Sequence, residues 1–383
     1  MNVAEVKTGN TLSHPLLGST LPALVRILRA YGTPDGAGWR TLAAAFGSAL
    51  GRSPFTFAEW CWTRSTNLWD SDFPPPIIIV GHWRSGTTHL YNILGTSPQF
   101  AYVSPVATGL PADFLLLGRL IRPLLERALP SGRVIDNIPV TPTSPQEDEI
   151  ALASLSEQSF MHALYFPKHF NAIIDRHLFF EGVSPAEEKR WSRTFLGFLE
   201  KVQRTRRGCP VILKNPVYTA RIALLRQIVP QARFIHLHRH PDEVFRSMRG
   251  YYHKLLPELA LQRACIDDLD GRILGIYARM MERLDRDARD LPANQWVECR
   301  YEDLQADPMG LLQHIFNTLE LDGFDDSAPH FQNYLDSLKD YQRNPHHLSE
   351  ADQQLVRSRL ARVFERWNYP LNPANDASPQ PSS

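Results

Sequence analysis

The chain has 383 residues, 43% of them apolar, with 41 basic and 41 acidic side chains. That length allows one large domain or two small ones, and the apolar content suffices for a sizeable core. The balanced charge excludes a general nucleic-acid binder and leaves room only for a local basic pocket. Cys61, Cys209, Cys265 and Cys299 are far apart and lack metal-ligand spacing, so thiols in a reducing compartment are expected. No basic segment followed by an apolar run opens the chain, and no stretch reaches the roughly 18–20 apolar residues of a membrane span. A soluble, cytoplasmic protein is the expectation.

Residues 1–73 read as helical, with an apolar period near 3.6 over Leu21–Leu28. Pro54 to Trp69 is rich in aromatics: Phe55, Phe57, Trp60, Trp62 and Trp69. They suit a helical layer packed on a sheet, or a wall of a substrate pocket. Three prolines, Pro74–Pro76, then end the helical region. Ile77, Ile78, Ile79 and Val80 form an apolar β-branched run that suits a strand buried on both faces. Gly81 to Gly86 is a tight turn, and a helix follows from Thr87, with Leu90 and Leu94 four apart. Strand, glycine-bounded turn and helix N-terminus together make an anion site. Arg84, Ser85, Thr87 and Thr88 add donors. The glycine spacing suits a nucleotide triphosphatase loop, but Thr87 stands where that loop needs lysine.

Phe114 to Leu125 reads as a broad apolar helical stripe interrupted by Pro123, either packed on the core, touching a membrane surface or covering an acceptor. Ser144 is placed to cap a helix starting at Pro145, with Glu147 as its reciprocal partner. Glu149 lies beyond that box. It opens an aromatic segment, Phe160, Met161, His162, Tyr165, Phe166 and Phe170, that could surround an acceptor with a carboxylate. Residues 181–208 are a charged helical stretch. Val211–Leu213 is a second buried strand, ending at Lys214. Arg233–His238 is a third, ending at Arg239, and Trp296–Arg300 a fourth. Short strands alternating with helices specify a parallel α/β sheet. Ligands of such sheets bind at the strands' carboxyl ends, where Arg84, Lys214 and Arg239 fall.

These residues carry a resemblance. The loop Arg84-Ser85-Gly86-Thr87-Thr88 resembles the 5′-phosphosulfate loop of sulfotransferases that use 3′-phosphoadenylyl sulfate (PAPS). Its arginine is similar to the bacterial and tyrosylprotein branch. His236 to His253 resembles the family's 3′-phosphate segment, with Arg239 and Ser247 eight apart matching by role. Val211–Pro216 resembles the strand ending in a lysine. The resemblance implies a fold like that of P-loop nucleotide hydrolases: a central parallel sheet flanked by helices, with additional N-terminal and acceptor-side helices. It implies cofactor contacts from Gly81, Arg84, Ser85, Gly86, Thr87, Thr88, Arg239, Ser247 and Arg343. Arg84 and Lys214 would stabilise transfer. Both of the family's familiar bases are missing here, a histidine after Lys214 and a glutamate after the loop. Glu147 or Glu149 is expected to take the acceptor proton, with Glu149 ahead because Glu147 has the capping task.

The implied organisation is a helical region over residues 1–73, a core over 74–370 with an acceptor-side insertion around 105–205, and a tail over 371–383. The implied reaction moves a sulfonyl group from PAPS to a hydroxyl of an apolar or lipid-linked acceptor, leaving adenosine 3′,5′-bisphosphate. No metal and no nucleic acid are expected, and peripheral contact with an inner membrane face is compatible. The rival readings are a nucleotide-dependent kinase or hydrolase and a noncatalytic binder of phosphate ligands.

Overall fold

The computed structural model describes residues 13–65, 74–121, 144–264, 266–338 and 348–370. Helices α1 (Leu21–Tyr31) and α2 (Gly38–Ser65) come first. The Thr20 hydroxyl accepts the Ala23 N–H and caps α1. Strand β1 (Ile77–Val80) is fully buried, as its continuous β-branched run requires. Successive side chains alternate between faces. Ile77 and Ile79 pack with Leu90, Leu94 and Phe316, while Ile78 and Val80 join the larger core on the other side. Helix α3 (Thr87–Gly95) follows the turn, then strand β2 (Ala101–Tyr102) and helix α4 (Pro105–Gly109).

With β3 (Val211–Lys214), β4 (Arg233–His238) and β5 (Trp296–Arg300), these strands form one parallel sheet in the order β2-β3-β1-β4-β5. Ile78 lies level with Leu213 on one side and Phe234 on the other. The chain leaves β1 toward β2 and later returns to the opposite side through β4. Strand order therefore reverses at β1, and its carboxyl end opens the crevice. Because β3 and β4 both border β1, the residues ending these three strands meet there.

Three sequence expectations change. Residues 111–116 form turns rather than helix, and helix begins only at 117. Phe114 and Leu115 are buried there, and Pro123 lies outside the described residues. The aromatic segment Phe160–Phe170 is core, not pocket: Phe160, His162, Tyr165 and Phe166 are fully buried. Phe55, Phe57 and Trp60 do not pack on the sheet but are exposed on α2. Among the described residues, no helix is long and apolar enough to cross a membrane.

Candidate active site

The turn after β1 is held by close backbone approach. Gly81 N–H donates to Thr219 Oγ1 at 2.8 Å, and that hydroxyl donates back to Gly81 O at 3.0 Å. Gly81 has φ +146°, and a Cβ there would lie 2.3 Å from Leu237 O. Gly86 caps α3 with φ +94°, and a Cβ there would lie 2.1 Å from the Tyr301 ring. Only glycine meets both demands. No side chain caps α3, so its N-terminal amides and dipole face the turn. Thr87 is buried. The Ser85 hydroxyl is also buried, and it has no hydrogen-bond partner among the described residues. Such a group is costly unless a ligand satisfies it. Arg84 adopts φ +70°, which is uncommon for a residue with a side chain.

The cationic groups converge as the strand order requires. Arg84 Nε donates to Ser247 Oγ at 2.7 Å, joining the loop to the helix after β4. Arg239 Nη2 donates to Glu243 at 2.8 Å, its Nη1 reaches Arg84 O at 3.4 Å, and its guanidinium lies 4.9 Å from the Tyr301 ring centroid. Lys214 is almost wholly buried and donates to Thr88 Oγ1 at 3.1 Å. It also forms a close ion pair with Glu147. Arg343 lies outside the described residues.

The three consecutive acids do three different things. The expected capping box is absent. The helix runs from Asp148 to Leu155, and Glu147 is its N-cap without a side-chain capping bond. The Gln146 N–H donates to Val103 O at 2.9 Å, which holds the chain before Asp148 extended. This frees the Glu147 carboxylate to reach Lys214, with 27% of its side chain still exposed. Asp148 is buried and accepts the Tyr218 hydroxyl. Burial, reinforced by Glu149, pushes its carboxyl up to about 7 against the pull of that hydrogen bond. Glu149 is also buried. It accepts Ser159 Oγ at 2.7 Å, the Phe160 N–H at 2.9 Å and Asn215 Nδ2 at 2.9 Å. These bonds tie three segments together through Glu149.

Sequence reasoning missed several supports. Thr219 clamps Gly81, Glu243 holds Arg239, and Tyr301 underlies both Gly86 and Arg239. Glu302 accepts the His240 N–H at 3.1 Å, just after Arg239. His82, next to Gly81, is buried against Tyr277, with ring centroids 4.3 Å apart, and burial lowers its pKa to about 4. Among the described residues, no group of three or more His, Cys, Asp or Glu side chains could hold a metal ion.

Fold and site define an α/β protein whose glycine-bounded loop after β1 lacks the triphosphatase lysine. The sulfotransferase family pattern matches residues 75–326. The omega-hydroxy-beta-dihydromenaquinone-9 sulfotransferase Stf3 of Mycobacterium bovis is 32% identical over 308 residues, 80% of this chain and 79% of that protein. Crystal structures of sulfotransferase STF1 from Mycobacterium tuberculosis and STF9 from Mycobacterium avium share the fold, with TM-scores of 0.63 and 0.64 at 16% and 15% identity. The first match covers 88% of this chain and 90% of STF1, the second 91% and 96% of STF9. The chain belongs to the sulfotransferase family, and it is a sulfotransferase enzyme.

Proposed function

We propose that this enzyme transfers the sulfonyl group of PAPS to a hydroxyl on an apolar, lipid-like acceptor, and that Glu147 takes the acceptor proton. The observation that carries this reading is the double contact of Lys214. One buried ammonium touches Thr88 of the loop and Glu147 at the crevice. A carboxylate is thereby set beside the cation best placed to neutralise the leaving phosphate. The family match and the loop support the donor, and the buried Ser85 hydroxyl fits a group with several acceptor oxygens. The lipid acceptor class is supported by the mycobacterial relative, whose name specifies an ω-hydroxylated menaquinone.

In this scheme Ser85, Thr87, Thr88 and the N-terminal amides of α3 hold the 5′-phosphosulfate. Arg239 and Ser247 hold the 3′-phosphate, the arginine through a two-pronged contact. Ser247 has a further task, because its hydroxyl orients Arg84. Arg84 remains charged and stabilises developing negative charge rather than donating a proton. Glu147 accepts the proton as the acceptor oxygen forms its bond to sulfur and the sulfur–phosphate-oxygen bond breaks. Lys214 offsets charge on the departing oxygen and orients Glu147. The products are the sulfate ester and adenosine 3′,5′-bisphosphate.

Calorimetry tests the donor. Arg239→Ala should weaken adenosine 3′,5′-bisphosphate binding by at least about tenfold, the scale of a charge-assisted pair. Adenosine 5′-phosphate, which lacks the 3′ group, should bind the variant and the wild type alike. Equal losses for both nucleotides would reject the assignment.

A further inference from the structure

Helix α2 has two unlike faces. Leu42, Ala45, Ala49, Arg52 and Glu59 are buried against the body. Trp39, Leu50, Phe57 and Trp60 are between 51% and 67% exposed. At 3.6 residues per turn, positions 39, 50, 57, 60 and 64 fall within an arc of about 80°. Single exposed apolar residues are ordinary. A stripe of large ones along a 28-residue helix is not. Phe57 and Trp60 stack with centroids 6.0 Å apart, and the Arg64 guanidinium lies 5.3 Å from the Trp60 centroid.

Charge narrows the choice of what covers this stripe. The helix has four charged residues, Arg40, Arg52, Glu59 and Arg64. Arg52 is bound inward to Asp113 at 2.8 Å, and Glu59 pairs inward with Lys201. Arg64 lies on the stripe, Arg40 is exposed about 80° beyond its edge, and the helix carries no acid on that face. Leu120, 70% exposed, and Arg119 follow one turn beyond Leu116, whose N–H donates to Glu59 at 2.8 Å. Apolar bulk flanked by arginines and tryptophans is the pattern of a helix lying in a lipid interface.

We infer that the outward face of α2 rests on an anionic lipid bilayer. The rings and Leu50 enter the headgroup boundary, and Arg64 meets the lipid phosphates. The choice of lipid draws on the acceptor reading above, but the test requires no turnover. Full-length protein is sedimented with vesicles of phosphatidylcholine containing about 30 mol% phosphatidylglycerol, or none. Wild type should partition onto the anionic vesicles, less onto neutral ones, and less at high salt. The double variant Phe57→Glu, Trp60→Glu should lose at least about tenfold in partitioning. Its circular dichroism melt and its sulfotransfer to a water-soluble acceptor should stay unchanged. Leu50→Glu, seven residues away on the same stripe, provides an independent variant. Wild type remaining in the supernatant, or folded variants partitioning as wild type does, would overturn the inference. A wild-type mass of two chains by light scattering that falls to one in the variants would assign the face to a second copy, also overturning it. Failed sulfotransfer with intact vesicle binding would instead count against the proposed reaction.

Discussion

The loop side and the carboxylate side of the crevice are built by different means. On the loop side, Arg84, Lys214 and Arg239 each end a buried strand, and the strand order brings them together. Their placement follows from sheet topology. On the carboxylate side, Glu147, Asp148 and Glu149 are consecutive yet have three environments: a crevice ion pair, a buried hydroxyl contact and a closed hydrogen-bonded post. Nothing periodic separates them. The difference teaches that a parallel sheet positions a binding site generically, whereas the choice of a reacting group rests on individual long-range contacts.

The loop side should break most completely at Gly86. Gly86→Ala combines a positive φ with a Cβ inside the Tyr301 ring. Backbone strain and overpacking together should cost roughly 2–4 kcal/mol in urea unfolding and abolish detectable bisphosphate binding. Measured in a Tyr301→Ala background, Gly86→Ala should lose the packing share of its cost and keep the strain. Wild-type stability in Gly86→Ala would show that the turn is not held as described.

This contrast also explains what the sequence could show. Ile77–Val80 and Val211–Leu213 are continuous apolar runs with abrupt polar ends, so both the strands and the cations after them are legible. Strand β2 is only two residues long and presents no pattern to detect. Ser144-Pro145-Gln146-Glu147 does present a local pattern, that of a capping box, but the Gln146–Val103 bond overrides it. Glu147 then meets a lysine 67 residues away, and Glu149 meets Asn215 at nearly the same separation. Aromatic residues misled in both directions, because a large ring is equally at home in a core and on a lipid-facing surface. Phe160 to Phe170 went inside while Phe57 and Trp60 went out.

A smaller effect sharpens the carboxylate side. The unfolded Asp148 carboxyl titrates near 3.8 and the folded one near 7. The native state therefore holds more protons between about pH 4 and 7, and this group's stabilising share falls as pH rises through that window. The share is at most about 4 kcal/mol. Asp148→Asn stays neutral throughout and still accepts from Tyr218. Urea midpoints should thus favour wild type more at pH 5 than at pH 8, relative to the variant. A difference independent of pH would mean that Asp148 is already ionised in the native state.

The central claim is that Glu147, not Glu149, takes the proton. Its most direct test is single-turnover sulfation by Glu147→Gln and Glu149→Gln, using a long-chain alcohol and an acidic phenol as acceptors and correcting for folded, bisphosphate-binding protein. Glu147→Gln should fold and bind normally, lose at least about 100-fold with the alcohol, and lose much less with the phenol. Glu149→Gln should lose about 1–3 kcal/mol of stability, while its folded fraction turns over near the wild-type rate. A folded Glu147→Gln enzyme that sulfates the alcohol at the wild-type rate would contradict the account.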